Sequence, residues 1–370
     1  MNITCSKQVL LAGLNIVSKA VPSNTPYPMM KNILINATGN DIILTANDVT
    51  IGIETKIEGE VETAGIVAID CAMFTEAIRL MPDGDLNIVV KDDFSVYIKY
   101  GNKEQDFMIR GVSGDSFTYL PDIDKKEPIV LSMMTIKDIV RQTGFSLKSN
   151  NGSAESTMSG YDFNIFGDYM RVTTLDGQRI SIKNIEFDRE YPKQEIIIPG
   201  KTLNDICKIL PSDAEKKVNL YITDSHIMFE FDSTVVVSRL IEGKFISIEK
   251  ILQTEPKSNI KVDKKIFSDT IRRAGFFSKE NDKKPIIFET SGDILNIRIA
   301  NDNGNMDEKL EVEKEGDDIR IGFNPKFILD AVGAVDDEEI TAYFINSITP
   351  MFIKDEKENY IYVILPINIS

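Results

Sequence analysis

Three kinds of segment recur in this chain at one spacing, and that repetition restricts the fold more than any other feature. "VAIDCAMFTEAIRLMPDGD" (67–85), "IIIPGKTLNDICKILPSDA" (196–214) and "IRIGFNPKFILDAVGAVDD" (319–337) each read as an apolar strand, a cap, a short amphipathic helix and an acidic turn. Apolar or small residues follow helical spacing in the first two, at Phe74, Ala77, Ile78 and Met81, then at Leu203, Ile206, Cys207 and Leu210. The third copy, with Phe327, Asp330, Ala331 and Ala334, departs at one position. A second set of helices is led by Lys7, Lys137 and Lys264, which lie 130 and 127 residues apart. A third set places Asp48, Asp176 and Asp302 in turns between β-type runs, 128 and 126 apart.

Three independent markers with one period predict three tandem domains, 1–124, 125–254 and 255–370, of about 120 residues each. A chain of 370 residues is in any case too long for one ordinary core. Alternating runs such as "VNLYITDSHIMFEF" and "YIYVILPINI" fill the space between helices, so each unit reads as two helices packed on about eight antiparallel strands, an α+β class. "PDIDKKEP" and "EKILQTEPKSN" are the expected linkers.

The net charge of −16 opposes nucleic-acid binding if it is spread evenly. It is not spread evenly. The helical segments hold fourteen cations (Lys7, Lys19, Arg79, Lys137, Arg141, Lys148, Lys201, Lys208, Lys264, Lys265, Arg272, Arg273, Lys279 and Lys326) against six anions. They therefore carry +8 and the remainder of the chain −24. Lys and Arg are also good helix formers on any solvated face, which is the plainer account of one such helix; the threefold recurrence argues for a basic surface. Spheres of about 35 Å closed into a ring of six leave a hole about 35 Å wide, while three leave about 5 Å and four about 14 Å. A duplex about 20 Å across fits only the ring of six, so a three-domain chain needs a head-to-tail dimer.

Catalytic signals are missing from the sequence. His226, the only histidine, sits in an alternating run and reads as a strand residue, with no nucleophile motif around it. GxxxxGK[ST], HExxH and GxGxxG are absent. The three aspartates read as turn residues that bond their own backbone rather than as a metal cluster. Cys5, Cys71 and Cys207 are far apart and suit buried thiols, so no metal, disulfide or cofactor is expected. No run is long and apolar enough to cross a membrane and no secretory signal opens the chain, which points to the cytoplasm.

"LLAGLNIVSKAV", "VAIDCAMFTEAIRLMP", "TTLDGQRI", "IIIPGKTLNDICKILP" and "YVILPINI", in that order along the whole chain, resemble the bacterial DNA polymerase III beta subunit, the sliding clamp family. The resemblance implies a ring-shaped homodimer threaded by duplex DNA, acting as a non-catalytic processivity factor. It also implies a groove that receives short peptides of the replicative polymerase, the clamp loader and repair proteins. The matching groove positions are Met158, Leu175, Gly177, Arg179, Ile180, Ile246, Lys250, Ile251, Val363, Leu365, Pro366 and Ile367, with Arg179 orienting polar groups. Arg79, Lys148, Lys201 and Lys208 are implied as phosphate contacts that read no bases. Phe107, Ile109, Phe276 and Phe277 are implied at the dimer seam. Ile246, Gln178 and Asn368 stand where the family commonly has Pro, His and Arg, which bears on peptide preference. Ser23 and Asn24 replace an arginine common in the loop after the first helix, which bears on that loop's hold on DNA.

The residues add a reason for the tail. An apolar "ILPINIS" terminus is odd unless it packs or binds, and Pro366 interrupts a ladder, leaving walls for an apolar side chain. The tail also reads more simply as an edge strand of the last domain. Two further classes compete with the clamp: a peptide-binding scaffold that never encloses DNA, and a hydrolase using the aspartate turns.

Overall fold

Side-chain caps fix where the helices begin. Ser6 Oγ accepts from Val9 N at 3.2 Å, Asp70 Oδ1 from Met73 N at 2.8 Å, Ser132 Oγ from Thr135 N at 2.9 Å, Asp263 Oδ1 from Ile266 N at 2.7 Å and Asn324 Oδ1 from Lys326 N at 2.9 Å. Each satisfies an orphan amide and contributes about 1 kcal/mol. The helices that follow are α1 (Lys7–Val17), α2 (Cys71–Leu80), α3 (Met133–Thr143), α4 (Gly200–Ile209), α5 (Glu249–Leu252), α6 (Lys264–Gly275) and α7 (Pro325–Ala334). The computed structural model describes residues 1–101, 107–149, 156–278 and 284–369. The six long helices fall in the two recurrent segment types, whereas α5 is a short turn inside the expected second linker.

The chain divides into two compact units. Unit 1 comprises 1–136 and 201–240. Its eight-stranded antiparallel sheet runs, edge to edge, Ile129–Ser132, Lys217–Ile222, His226–Phe231, Thr234–Arg239, Ile51–Ile57, Ile42–Asn47, Asn32–Asn36 and Ile66–Asp70. The sheet joins strands far apart in sequence: Thr234 faces Thr55 and Ser238 faces Ile51, and the buried hydroxyls of Thr55 and Thr234 meet at 2.8 Å. A second, five-stranded sheet ends on Phe107–Arg110. Leu10, Leu14 and Val17 of α1 and Phe74 and Ile78 of α2 are fully buried, as their helical spacing requires.

Unit 2 comprises 137–200 and 241–370. Its nine-stranded sheet runs Gln194–Pro199, Gly160–Ile165, Tyr169–Leu175, Arg179–Glu186, Tyr360–Ile364, Met351–Lys354, Glu339–Phe344, Ser258–Asp263 and Glu313–Gly316. Here the joining register sets Arg179 opposite Ile364 and Lys183 opposite Tyr360. The C-terminal strand therefore lies inside the sheet, paired on both sides. Within 255–370 it is the outermost strand, as an edge strand of the last domain should be, but Arg179–Glu186 of the preceding domain covers that edge, a partner that local alternation cannot reveal. Phe288 anchors the core against α6 and α7, with Phe267 and Phe323 edge-on at 5.8 and 5.5 Å.

Candidate functional site

The turn in "LDGQR" organises the site in unit 2. Gly177 adopts φ +92°, which favours glycine, and Asp176 Oδ1 accepts from Gln178 N at 2.9 Å and Arg179 N at 3.1 Å. Gln178 O in turn accepts Leu365 N at 2.9 Å, which clamps the C-terminal stretch onto the turn. Beyond Pro366 the chain turns away, and Ile367 N donates to Gly322 O at 2.8 Å. Under this frame Leu175, Ile180 and Val363 form a buried apolar cluster with Ile182, Ile248, Phe352 and Ile361. Met158 and Ile251 pack on it partly exposed. Leu365 remains 37% exposed above the strand ends, and Pro366 and Ile367 are half-buried. Lys250 projects from α5 as an exposed cation.

Two of the implied groove residues do not join this cluster. Ile246, 51% exposed, lines an adjoining cavity of about 260 Å³ that shares Phe245 and Ile248 with the cluster and whose other walls include Asp162, Asn164, Arg171, Thr173 and Glu195. Arg179 does not orient polar groups at the groove. It neighbours Ile180 on a strand, so the two side chains leave opposite faces. Its guanidinium is buried under α7, bonded to Asp330 Oδ2 at 2.5 Å, Asp176 Oδ2 at 2.9 Å and Phe145 O at 2.5 Å, with the Phe327 ring 4.5 Å away. The same alternation, applied forward from Ile180, points to Ile182 as cluster floor. Ile248 and Phe352 carried no local signal.

Burial raises the Asp162 carboxyl to about 7, and the neighbouring Glu195 charge adds to that rise while Arg171 opposes it. Its Oδ1 has no hydrogen-bond partner. It belongs to the wall of the cavity beside Ile246, not to the apolar cluster.

Among the cations, eleven of the fourteen and five of the six anions sit within the six long helices, a net of +6. Lys19 lies in a 3-10 turn, Lys148 beyond the end of α3, Asp263 at an N-cap, and Lys279 outside the described residues. Arg79, Lys201 and Lys208 are each more than half exposed but are not bare charges. Arg79 bonds Glu76 at 2.6 Å, while Asp205 lies between Lys201 at 3.0 Å and Lys208 at 2.8 Å. Lys148 is exposed in unit 2.

At the implied seam, Phe107 lies on the edge strand of the five-stranded sheet and is partly exposed. Ile109 is only 5% exposed, so its side chain belongs to its own core; Met108 is the exposed neighbour. Phe276 is 80% exposed at the end of α6, while Phe277 packs into the unit 2 core. The aspartate turns also differ from expectation in one copy. Asp48 bonds Thr50 N and Ile51 N as Asp176 bonds its own turn, but in the third copy Asn301 Oδ1 takes Asn303 N and Asp302 does not hold the turn. His226 pairs with Arg239 in the ladder and its Nδ1 meets Ser225 Oγ. Among the described residues no cluster of potential metal ligands occurs, and no helix is long and apolar enough to cross a membrane.

A sheet-rich chain of repeated helix pairs, with an apolar cluster at a strand end and no catalytic constellation among the described residues, has the build of a clamp-class scaffold. Family models for the DNA polymerase III beta subunit match its N-terminal domain at residues 1–121, its central domain at 130–246 and its C-terminal domain at 249–368. The chain is 29% identical to a beta sliding clamp of Halalkalibacterium halodurans over 95% of both chains. A crystal structure of a putative DNA polymerase III beta subunit from Eubacterium rectale is 44% identical, with TM-score 0.95 over 100% of this chain and 99% of that one. A DNA polymerase sliding clamp of Bacillus subtilis, 24% identical, shares the fold at TM-score 0.95 over 100% of both chains. The chain belongs to the DNA polymerase III beta subunit family, with the three-domain clamp fold and the role of a non-catalytic processivity factor.

Proposed function

We propose that two copies close head to tail into a ring of six domains (1–124, 125–254 and 255–370 in each), through which duplex DNA passes in the cytoplasm. Arg79, Lys148, Lys201 and Lys208 touch phosphates as the ring slides, and retention depends on topology more than on affinity. Phe107 and Phe276 supply apolar contacts at the seam, where each is exposed on the single chain.

The replicative polymerase and other clients dock a short apolar peptide on unit 2, over Leu175, Ile180 and Val363, with Met158, Ile251 and Leu365 as walls and Gly177 leaving the turn unobstructed. The observation that carries this reading is the exposed Leu365 held above a buried apolar floor by its bond to Gln178. Such a floor, open at the end of a ladder, suits an inserted Leu or Phe.

The test uses the full chain loaded by its clamp loader. On nicked circular DNA the protein is retained through gel filtration, and cutting the circle releases it; equal retention on both forms refutes the ring. Leu365→Asp lowers both loader-dependent loading and polymerase processivity, while its dimer mass in solution is unchanged.

A further inference from the structure

The frame that builds the unit 2 groove is repeated in unit 1, 128 residues earlier. Asp48 N donates to Ile51 O at 2.9 Å, as Asp176 N donates to Arg179 O. Asp48 Oδ1 accepts Thr50 N at 2.6 Å and Ile51 N at 2.7 Å. Thr50 O accepts Arg239 N at 2.9 Å, as Gln178 O accepts Leu365 N. The linker follows suit: "FTYLPDI" (117–123) lies at the same offset from "FISIEKI" (245–251). Asn47 Nδ2 bonds Thr118 O at 3.1 Å and fastens that linker beside the turn.

Equivalent frames hold different side chains. Leu175 corresponds to Asn47, Ile180 to Gly52 and Leu365 to Arg239. The apolar floor is thereby hollowed. Leu120 closes over Gly52, where an added Cβ would lie 1.9 Å from its Cδ2, and a cavity of about 590 Å³ opens between turn, strand end and linker. Its lining includes Tyr27, Val49 and Tyr119, each more than half exposed, with Met29 and Val237 deeper. Apolar side chains of that size, gathered at one mouth, indicate a surface that is covered in use.

Charge selects what covers it. Arg239 lines the cavity, is exposed, and among the described residues forms no ion pair. His226 stands in the neighbouring strand, opposite it. Asp48 is the acid of the lining, and its Oδ1 is taken up by the amides of its own turn. A cation stands where unit 2 presents Leu365.

We propose that this cavity is a second peptide-docking site, taking a short extended segment that offers an apolar side chain to the pit and a carboxylate to Arg239. It rests on the unit 2 reading only for the type of ligand; its residues and its charge preference are its own. The bond to Arg239 is charge-assisted and bidentate in the favoured geometry, so aspartate is preferred to asparagine.

The experiment uses fluorescein-labelled Gly-Phe-Leu-Asp-Gly and its Asn counterpart, both with amidated C-termini, against the full chain by fluorescence anisotropy. In Leu365→Asp, which blocks the unit 2 groove, the Asp peptide still binds once per chain and about tenfold more tightly than the Asn peptide. Adding Arg239→Glu abolishes that binding, and Arg239→Lys, which keeps the charge but not the two-pronged bond, retains only part of it. Circular dichroism confirms that the Arg239 variants keep the native fold, as an exposed side chain predicts.

Complete loss of Asp-peptide binding in Leu365→Asp overturns the second site and leaves the groove standing. Binding in that background that ignores Arg239→Glu also overturns it. Binding to wild type that ignores Leu365→Asp but fails with Arg239→Glu upholds the second site and counts against the groove.

Discussion

Replacing Arg179 separates a structural role from a peptide-binding one. The guanidinium makes three polar contacts within unit 2: with Asp176 on its own turn, with Asp330 on α7 and with the Phe145 carbonyl. It also lies between the Phe145 and Phe327 rings, at 5.3 and 4.5 Å. Removing one partner of a buried pair costs about 3–5 kcal/mol because the remaining charge is left uncompensated. Water reaches Asp176 and Asp330, whose side chains are 19% and 30% exposed, and this lowers the penalty. Loss of ring contacts adds about 0.5–1 kcal/mol. Arg179→Ala should therefore destabilise unit 2 by about 3 kcal/mol. Arg179→Met, which retains the packed stem, should cost about 1 kcal/mol less. Urea unfolding followed by far-ultraviolet circular dichroism measures both, with the unit 2 transition compared among variants. Peptide affinity for the unit 2 groove, measured below the transition, should change less than threefold. A stability loss under 1 kcal/mol, together with a tenfold loss of peptide affinity, would refute the reasoning and put Arg179 in the docking surface.

Other perturbations follow from the same geometry. The folded Asp162 carboxyl titrates at about 7 and the unfolded one near 4, so the native state holds more protons between those values and stability falls as pH rises through that window. The loss is at most about 4 kcal/mol, and Asp162→Asn should flatten it in urea titrations at pH 5 and 8; an unchanged pH slope rejects this assignment. Asp205 neutralises Lys201 and Lys208, so Asp205→Asn should tighten DNA binding and steepen its salt dependence in filter-binding assays, whereas a weaker complex would count against those lysines as phosphate contacts. Phe276→Asp should shift the dimer towards monomer in sedimentation equilibrium without lowering the unfolding midpoint by more than a small amount, because the ring packs little in its own chain.

The helices and their caps were legible because they depend on neighbours three or four residues away, and the threefold order because whole segments recur at one spacing. Asp48 and Asp176 were legible as turn residues for the same reason, while Asn301 displaced Asp302 from that role because either side chain can close such a turn. The pairing of Thr234–Arg239 with Ile51–Ile57 was not legible, since sheet partners far apart in sequence are chosen by tertiary packing. Arg179 lies between these cases. Its position beside Ile180 carries the strand alternation that turns it away from the cluster, but the resemblance assigned it by motif and not by parity. For Ile109 the side chain is core even though its strand is an edge.

The two proposed docking surfaces lie where the sheets are joined. In each unit a strand of one segment pairs with a strand of another by main-chain bonds, which need no particular side chains at the seam. The ladder ends at a turn whose aspartate satisfies its own amides, and a linker is fastened beside that end. Side chains at the strand end are then free to vary without loosening the joint, because the hydrogen bonds are carried by backbone. Leu365 in one unit and Arg239 in the other occupy that position. One frame can thus present an apolar wall or a cation while the joint remains intact. Exchanging the two, Leu365→Arg with Arg239→Leu, should therefore leave both unfolding transitions within about 1 kcal/mol of wild type and transfer the preference for the Asp peptide from unit 1 to unit 2. A swap that unfolds either unit would show that these side chains, and not the backbone ladder, hold the joint.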